Sequence, residues 1–465
     1  MAYFTKYVCI YQLDKNNTLL FNTLTSAIDV VDNNTVDKIK NMIKGIHEIS
    51  YEEDQQLYNM LKRRGYIFEL QQDEQNILNY FHQKNNLVCS NTMVTNFKIC
   101  PTLGCNLRCV YCYESHKIHQ NNTVMSDEQL NTIFRYIQYS MQKVRQYKNR
   151  TPIHVGLFGG EPLLESNYNV VEKVLKFAKR KNIKLYITTN GTTVNRYYNL
   201  LIKYRDIAHL QITLDGNKYI HDKKRIDVFG NGTFENICNG IDMILNAGIH
   251  LNVRINLDKD SINSVEELKY VFEKRLWDKN CFFSVYATPI RNYNEVKQPS
   301  NILNDSEILD VFIKNGWYSY PNPFINLDSS VYDMLRIFSF TKSEYTIPWQ
   351  VSYCSASQGS QFIFTPDGRI YTCLKCTGEK NYSIGHFDKD NVIIEEDKLN
   401  SWKKRTPFDM AKCKDCKFIL LCAGGCPYYA LKRFGNINCP VCNDIEKTLE
   451  VYVKHNKEKF LRKVL

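Results

Sequence analysis

The stretch CPTLGCNLRCVYCYES, residues 100–115, places Cys105, Cys109 and Cys112 at intervals of four and three. The run just before it, NFKIC at 96–100, reads as a β-strand, so the three thiols fall in the loop beyond that strand's carboxyl end. Three thiolates ligate three irons of a cubane iron–sulfur cluster and leave the fourth iron open to a small molecule. Structural zinc is the competing reading; it ordinarily takes four protein ligands, with His116 as the candidate for the fourth.

Outward from this loop the chain alternates strand and helix patterns. Strands are predicted over 96–100, 153–158, 184–189, 210–214, 251–257 and 282–287, and helices over 127–146, 167–180, 195–204, 233–246 and 265–274. Such alternation belongs to an α/β fold whose parallel strands are joined by helical crossovers. It predicts a partial (β/α)6 TIM-like barrel over 86–300, with an open doubly wound sheet as the alternative. In both layouts ligands gather beyond the carboxyl ends of the strands, where the cysteine loop lies.

The order CxxxCxxC, with the aromatic Tyr111 before the last cysteine, resembles the signature of the radical S-adenosylmethionine (SAM) enzymes. Further marks of that family stand at the ends of predicted strands: GGEP at 159–162, TTNG at 188–191, LDG at 214–216 and HDKKR at 221–225. Each alone also reads as a turn or a surface ion pair; their order after successive strands favours the functional reading. The resemblance implies that Cys105, Cys109 and Cys112 hold a SAM-binding [4Fe-4S] cluster. It implies SAM contacts from Gly159, Gly160, Glu161 and Pro162 to the amino acid moiety and from Thr188, Thr189 or Asn190 to the ribose. Thr213 and Arg225 would meet the carboxylate and Tyr111 the adenine region, with Arg254 and Asn256 as further candidates on the fifth strand. The glycines suit this because they let backbone groups approach closely, and Glu161 offers an anionic acceptor for an ammonium. The chemistry implied is one-electron reduction, cleavage of SAM to methionine and a 5′-deoxyadenosyl radical, and hydrogen-atom abstraction from a substrate.

The chain has 17 cysteines, and in a reducing compartment clustered thiols more often bind metal than form disulfides. Cys9, Cys89, Cys100, Cys238 and Cys281 stand alone and read as small buried apolar residues. The last quarter is different: Cys354, Cys373 five residues after Gly368, then Cys413, Cys416, Cys422, Cys426 and Cys442 resemble the SPASM extension, which holds auxiliary iron–sulfur clusters. Carried over by position, Cys354, Cys373 and Cys426 ligate a first auxiliary cluster; Cys376 lies close enough to Cys373 to supply a fourth ligand, and with three protein ligands alone the open iron would be free to bind a substrate sulfur. Cys413, Cys416, Cys422 and Cys442 ligate a second, with Cys439 competing for the last place. Three [4Fe-4S] clusters are thus expected. Paired CxxC-like spacing also builds zinc ribbons, so it speaks for metal more firmly than for which metal.

At the amino terminus, residues 1–85 carry short strands, helical patterns over 36–43 and 51–64, a strand at 66–70 and a polar stretch, 71–83, that is a helix or a linker. This order resembles the winged-helix-like RiPP recognition element, which holds the leader of a ribosomally made precursor peptide. The leader would add a strand beside 7–13 or 26–32; the structural alternative is that the module only caps the barrel. Residues 301–347 read as a connecting segment with a helix near 305–315, and 348–465 as the SPASM domain, with a hairpin around Pro366, Asp367 and Gly368 and a final helix over 444–465.

Composition adds limits: 465 residues, 43% hydrophobic and 23% charged, describe a multidomain globular chain, and no stretch is apolar enough for a membrane span. The start lacks a basic-then-apolar targeting pattern, so a cytoplasmic location is expected, without membrane. The net charge of +11 comes from scattered bases, which argues against a zinc-stapled nucleic-acid binder. The reading that follows is a radical SAM peptide maturase that forms a Cys thioether in a precursor peptide, fed by an electron donor such as flavodoxin or ferredoxin. An anaerobic sulfatase maturase (formylglycine-forming), a peptide epimerase and a carbon–carbon crosslinking enzyme are the alternatives.

Overall fold

Six parallel strands joined by helices form the centre of the computed structural model, which describes residues 2–44, 54–114, 118–147, 151–291, 301–318, 324–339 and 350–462. The strands Asn96–Ile99, His154–Leu157, Leu185–Thr189, Ala208–Thr213, His250–Leu257 and Phe283–Pro289 pair side by side in chain order. Their alternate residues explain the layering. Phe97, Ile99, Val155, Leu157, Leu185, Ile187, Leu210 and Ile212 are buried against the helices, while Lys98, Gly156 and Gln211 lie at the intervening positions. Side chains or backbone from the ends of the second through the sixth strands line one cavity, so the sheet curls around a lumen as a partial barrel.

Asp127–Gln146 illustrates why the helices form where they do. Ser126 and Gln129 close a capping box at its start, Lys143 and Arg145 occupy its last turn, and Leu130, Ile133, Ile137 and Val144 make its buried stripe. Phe134 stacks on Phe177 of the next helix, Tyr168–Lys181, at 4.1 Å between ring centres. Each fully buried side chain of this size contributes roughly 1.5–3 kcal/mol.

The central sheet extends beyond the six expected strands. Asn326–Leu327 adds to the far edge, and Gln361–Phe364 lies parallel to Asn96–Ile99 at the near edge, with Phe362 opposite Phe97. Arg369–Tyr371, Gly385–Phe387 and Val392–Ile394 continue it antiparallel, and Gly368, at φ 76°, makes the first of those turns as a hairpin. The helix expected near 305–315 is Asp305–Lys314, and the final helix breaks at Asn456 into Ile445–His455 and Lys457–Leu461. A short helix, Lys218–Lys224, has no counterpart in the sequence reading.

Ahead of the barrel, Val8–Gln12, Asn17–Asn22 and Ile28–Asp32 form a three-stranded antiparallel sheet with Asn17–Asn22 in the middle. The helices Asn33–Ile43 and Gln55–Arg63 follow, and Ile67–Phe68 pairs with Tyr3–Phe4. The polar stretch beginning at Gln71 is the start of a 21-residue helix, Gln71–Asn91. His116 and residues 51–53 of the expected second helix lie outside the described residues. Among the described residues no helix is long and apolar enough to cross a membrane.

Candidate functional site

The cysteine loop is held by its neighbours' backbones. Arg108 N–H donates to the Ile226 carbonyl at 2.8 Å and Val110 N–H to the Lys224 carbonyl at 3.0 Å, which zips the loop to the segment carrying Arg225. The Arg108 guanidinium donates to the carbonyls of Cys105 and Leu107, and Leu107 N–H points at Cys105 Sγ at 3.4 Å. On the other side Glu161 N–H donates to the Gly104 carbonyl at 2.9 Å. A Cβ on Gly159 would stand 2.4 Å from the Thr102 carbonyl oxygen, and one on Gly160 2.3 Å from that of Gly104. The two glycines are therefore required by the cysteine loop itself, independently of any ligand.

A cavity of about 470 Å³ opens at this end of the barrel. It is lined by Cys105, Cys109 and Cys112 and by the expected residues Tyr111, Gly159, Gly160, Thr188, Thr189, Asn190, Thr213, Arg225, Arg254 and Asn256. Glu161 and Pro162 stand behind this wall. The Glu161 carboxylate, fully buried, accepts from Thr189 Oγ1 and Asn190 N–H at 2.6 Å each and from Leu163 N–H at 2.8 Å. It thereby ties the 159–162 turn to the 188–191 turn. Burial pushes the Glu161 carboxyl up, opposed by those hydrogen bonds.

Arg225, 6% exposed, donates to Tyr111 Oη at 2.8 Å, and the same oxygen receives Asn256 Nδ2 at 3.2 Å and donates to the Asp215 carboxylate. Asp215, fully buried, also accepts Asn256 N–H at 2.7 Å. Burial disfavours the Arg225 cation, but the hydrogen bond to Tyr111 and the Asp215 carboxylate behind it outweigh this and hold the guanidinium charged. His221 supplies the backing: its Nδ1 accepts Asp215 N–H at 3.2 Å, which leaves the proton on Nε2, 3.1 Å from Thr233 Oγ1. Thr233 in turn donates to the Arg225 carbonyl at 2.8 Å. Burial, with help from Arg225, drives the His221 pKa well below the ordinary imidazole value, so the ring is neutral.

Several site residues carried no motif of their own. Asp215 lies inside the quoted LDG, and only its burial reveals its part. Asn106, between the first two cysteines, accepts from Asn190 Nδ2 at 2.8 Å and donates to Thr192 Oγ1 at 2.9 Å, joining the loops. Buried His119 stands 3.7 Å from Cys112 Sγ and 3.0 Å from Glu114, which also accepts from Thr377 at 3.3 Å. Thr377 directly follows Cys376, so the carboxy-terminal region abuts the cysteine loop, and Tyr353, Leu374 and Lys375 line the same cavity.

The carboxy-terminal thiols fall in two groups. Cys413, Cys416, Cys422 and Cys442 line one cavity of about 610 Å³. Cys354 interacts with Cys373 and Cys426, and Cys376 with Cys373 and Cys426. The Cys376 thiol, hydrogen-bonded to Cys373, brings the latter down to about 7. Cys439 is not among the residues lining the 610 Å³ cavity and packs against the cluster of Tyr429, Ala430 and Val441. Burial pushes Cys105 up to about 12 and raises Cys109, Cys112 and Cys354 as well, so without a metal these thiols stay protonated. Among the described residues no three Cys, His, Asp or Glu side chains converge closely enough to hold one metal ion.

Residues 99–270 match the radical SAM superfamily. The chain is 24% identical over 344 residues to a cysteine-type anaerobic sulfatase-maturating enzyme of Clostridium perfringens, covering 70% of this chain and 86% of that one. It is 22% identical over 475 residues to the radical SAM cyclopropyl synthase TigE of Paramaledivibacter caminithermalis, covering 93% and 91%. The crystal structure of Streptococcus suis SuiB bound to precursor peptide SuiA shares the fold at a TM-score of 0.51 and 16% identity, covering 94% of this chain and 98% of that one.

Proposed function

We propose, from the premise that this chain is a radical SAM superfamily enzyme, that it is a peptide maturase which oxidatively crosslinks a ribosomally made precursor, forming a thioether from a Cys side chain. One observation carries the reading: the cavity lined by Cys105, Cys109 and Cys112 is also lined by Tyr353, Leu374 and Lys375, direct neighbours of Cys354, Cys373 and Cys376. A substrate held there touches both cysteine regions. The donor set fits a SAM-binding [4Fe-4S] cluster, with three thiols, an open fourth position and a fixed cation beside Cys109. When bound, cluster and SAM supply the reductive cleavage that yields a 5′-deoxyadenosyl radical.

The chain's own residues orient and shield. Arg225, immobilised by Tyr111 and backed by His221 and Thr233, presents a preset partner for the SAM carboxylate. Thr188, Asn190 and Thr213 place polar groups along the wall for the ribose and amino acid moiety, and Glu161 holds two of those turns together. The two carboxy-terminal groups, Cys354, Cys373, Cys376 and Cys426, and Cys413, Cys416, Cys422 and Cys442, would hold two auxiliary [4Fe-4S] clusters, three in all, which suits a net oxidation. Among the described residues Val8–Gln12 and Ile28–Asp32 are the edge strands of the amino-terminal sheet, the arrangement a leader strand would use. Flavodoxin or ferredoxin would serve as the electron donor, and the division into a recognition module over 1–85, a barrel over 86–300, a connector and a SPASM domain from 348 belongs to the same reading.

A sulfatase maturase is the second reading, favoured by the 24% identity to such an enzyme; that match leaves about 30% of this chain uncovered, whereas the TigE match covers 93%. The test is intact mass of a small Cys-bearing peptide encoded beside the gene, co-expressed anaerobically with and without the enzyme. Loss of two hydrogens with a thiol that no longer alkylates is the expected result. Exchange of the cysteine sulfur for an aldehyde would move the assignment to the sulfatase type, and an unchanged mass would remove crosslinking of that peptide.

A further inference from the structure

Between Cys422 and Cys426 the residues Ala423, Gly424 and Gly425 all have positive φ, at 49°, 76° and 74°. The left-handed region disfavours side chains, and Ala423 carries one there. A Cβ on Gly425 would stand 1.9 Å from the Val441 carbonyl oxygen. The tight turn sends its two flanking thiols apart: Cys422 joins Cys413, Cys416 and Cys442, while Cys426 faces Cys354.

Arg405, 2% exposed, reaches into this turn. Its guanidinium donates to the carbonyls of Ile437 at 2.6 Å, Gly424 at 2.8 Å, and Ala423 and Cys439 at 3.3 Å. All four acceptors are neutral. The ionisable neighbours acting on it are thiols from both groups, Cys426, Cys354, Cys413 and Cys422, while burial works against its charge. Guanidinium does not give up its proton in proteins, and a buried cation without an anion is strongly unfavourable. Among the described residues no carboxylate pairs with Arg405, whereas an oxidised cubane in four thiolates is a dianion.

We propose that Arg405 is a positioning residue shared by the two auxiliary cysteine groups: an anionic iron–sulfur cluster in each balances its charge, and it stabilises the more negative, reduced state of both. The inference rests on the reading that both groups hold such clusters. It also gives the strained turn a purpose, because Ala423 and Gly424 in left-handed conformation aim their carbonyls at the cation between the groups.

The test uses the full chain with Cys105→Ala, Cys109→Ala and Cys112→Ala, purified without oxygen, so that only auxiliary clusters contribute. Iron and labile sulfide are counted and the potentials titrated by electron paramagnetic resonance, in the parent and with Arg405→Lys or Arg405→Gln. Arg405→Lys is expected to keep both clusters near the parent potentials. Arg405→Gln is expected to lower the reduced-to-oxidised ratio of both clusters about tenfold at a fixed poise, ~59 mV for a one-electron couple, or to lose both clusters where the lysine variant keeps them. Unshifted potentials in Arg405→Gln, a shift of only one cluster, or equal cluster loss in the two variants would overturn the proposal. A parent without iron at these sites would instead overturn the auxiliary-cluster reading, and the iron count separates the two failures before position 405 is changed.

Discussion

The loop carrying Cys105, Cys109 and Cys112 and the segment 411–442 both present thiols at short spacing, but their scaffolds differ. The first is pinned to a curled sheet whose helix-facing layer includes Phe97, Ile99, Leu157 and Ile187, all essentially inaccessible, and is backed by the Tyr111, Asp215 and Arg225 network. The second hangs on helices of four, four and eight residues, Ala411–Lys414, Ile419–Cys422 and Pro427–Phe434, linked by turns. Helices this short are marginal alone. The barrel site is thus built by the polypeptide itself, whereas under the proposed reading the carboxy-terminal groups would draw cohesion from the clusters they hold, as small metal-stapled units do.

The sharpest way to break this contrast is Cys105→Ala with Cys109→Ala and Cys112→Ala. Reductive SAM cleavage should fall to the detection limit by chromatography of 5′-deoxyadenosine, while the auxiliary iron and the thermal unfolding of the barrel stay near wild type. Continued deoxyadenosine formation would sink the site assignment. Removing iron from the wild-type chain should next render 407–442 readily cleaved in limited proteolysis and leave 151–287 protected; equal protection of both would erase the distinction.

Within the barrel, Asp215→Ala leaves the Arg225 cation buried beside an unpaired Tyr111 hydroxyl and Asn256 N–H. It should cost about 3–5 kcal/mol by denaturant unfolding and weaken SAM binding; a cost under about 1 kcal/mol would show that the network does not carry the site. The smallest effect is pH dependence. The folded His221 pKa is depressed by burial, so the unfolded state takes up the proton first as pH falls. Stability from this group is intact above about pH 6.5 and declines below it by about 1.4 kcal/mol per unit until the folded pKa is reached. His221→Gln should remove that part of the slope, and an unchanged slope between pH 6.5 and 5 would place it on other residues.

Much of the barrel was legible because each strand alternates a helix-facing apolar side with a polar lumen side, and Leu185–Thr189 and His250–Leu257 fall within a residue of expectation. Lys218–Lys224 was missed because a seven-residue charged segment has no apolar period to read; Asn217 capping Ile220 N–H starts it. At the site, spacing picked out the cysteines and the turns, but roles set by burial escaped it: Glu161 faces away from the cavity to brace two turns, and Asp215 is hidden inside a quoted motif. Arg405 has no sequence signal at all, since its acceptors are carbonyls from turns distant in sequence.

Strand Gln361–Phe364 completes the edge beside Asn96–Ile99, with Asn96 and Gln361 hydrogen-bonded across 265 positions of chain. At about 5–20 residues per second, a ribosome takes roughly a quarter of a minute to a minute to deliver the later partner after the earlier one. Throughout that delay the nascent barrel presents an open, apolar edge with Phe97 and Ile99 unclosed, the kind of surface that pairs with strangers. Anaerobic expression strategies for this protein should therefore treat slow synthesis and chaperone supply, along with iron, as determinants of yield, and any shortened version ending before residue 361 should accumulate as aggregate.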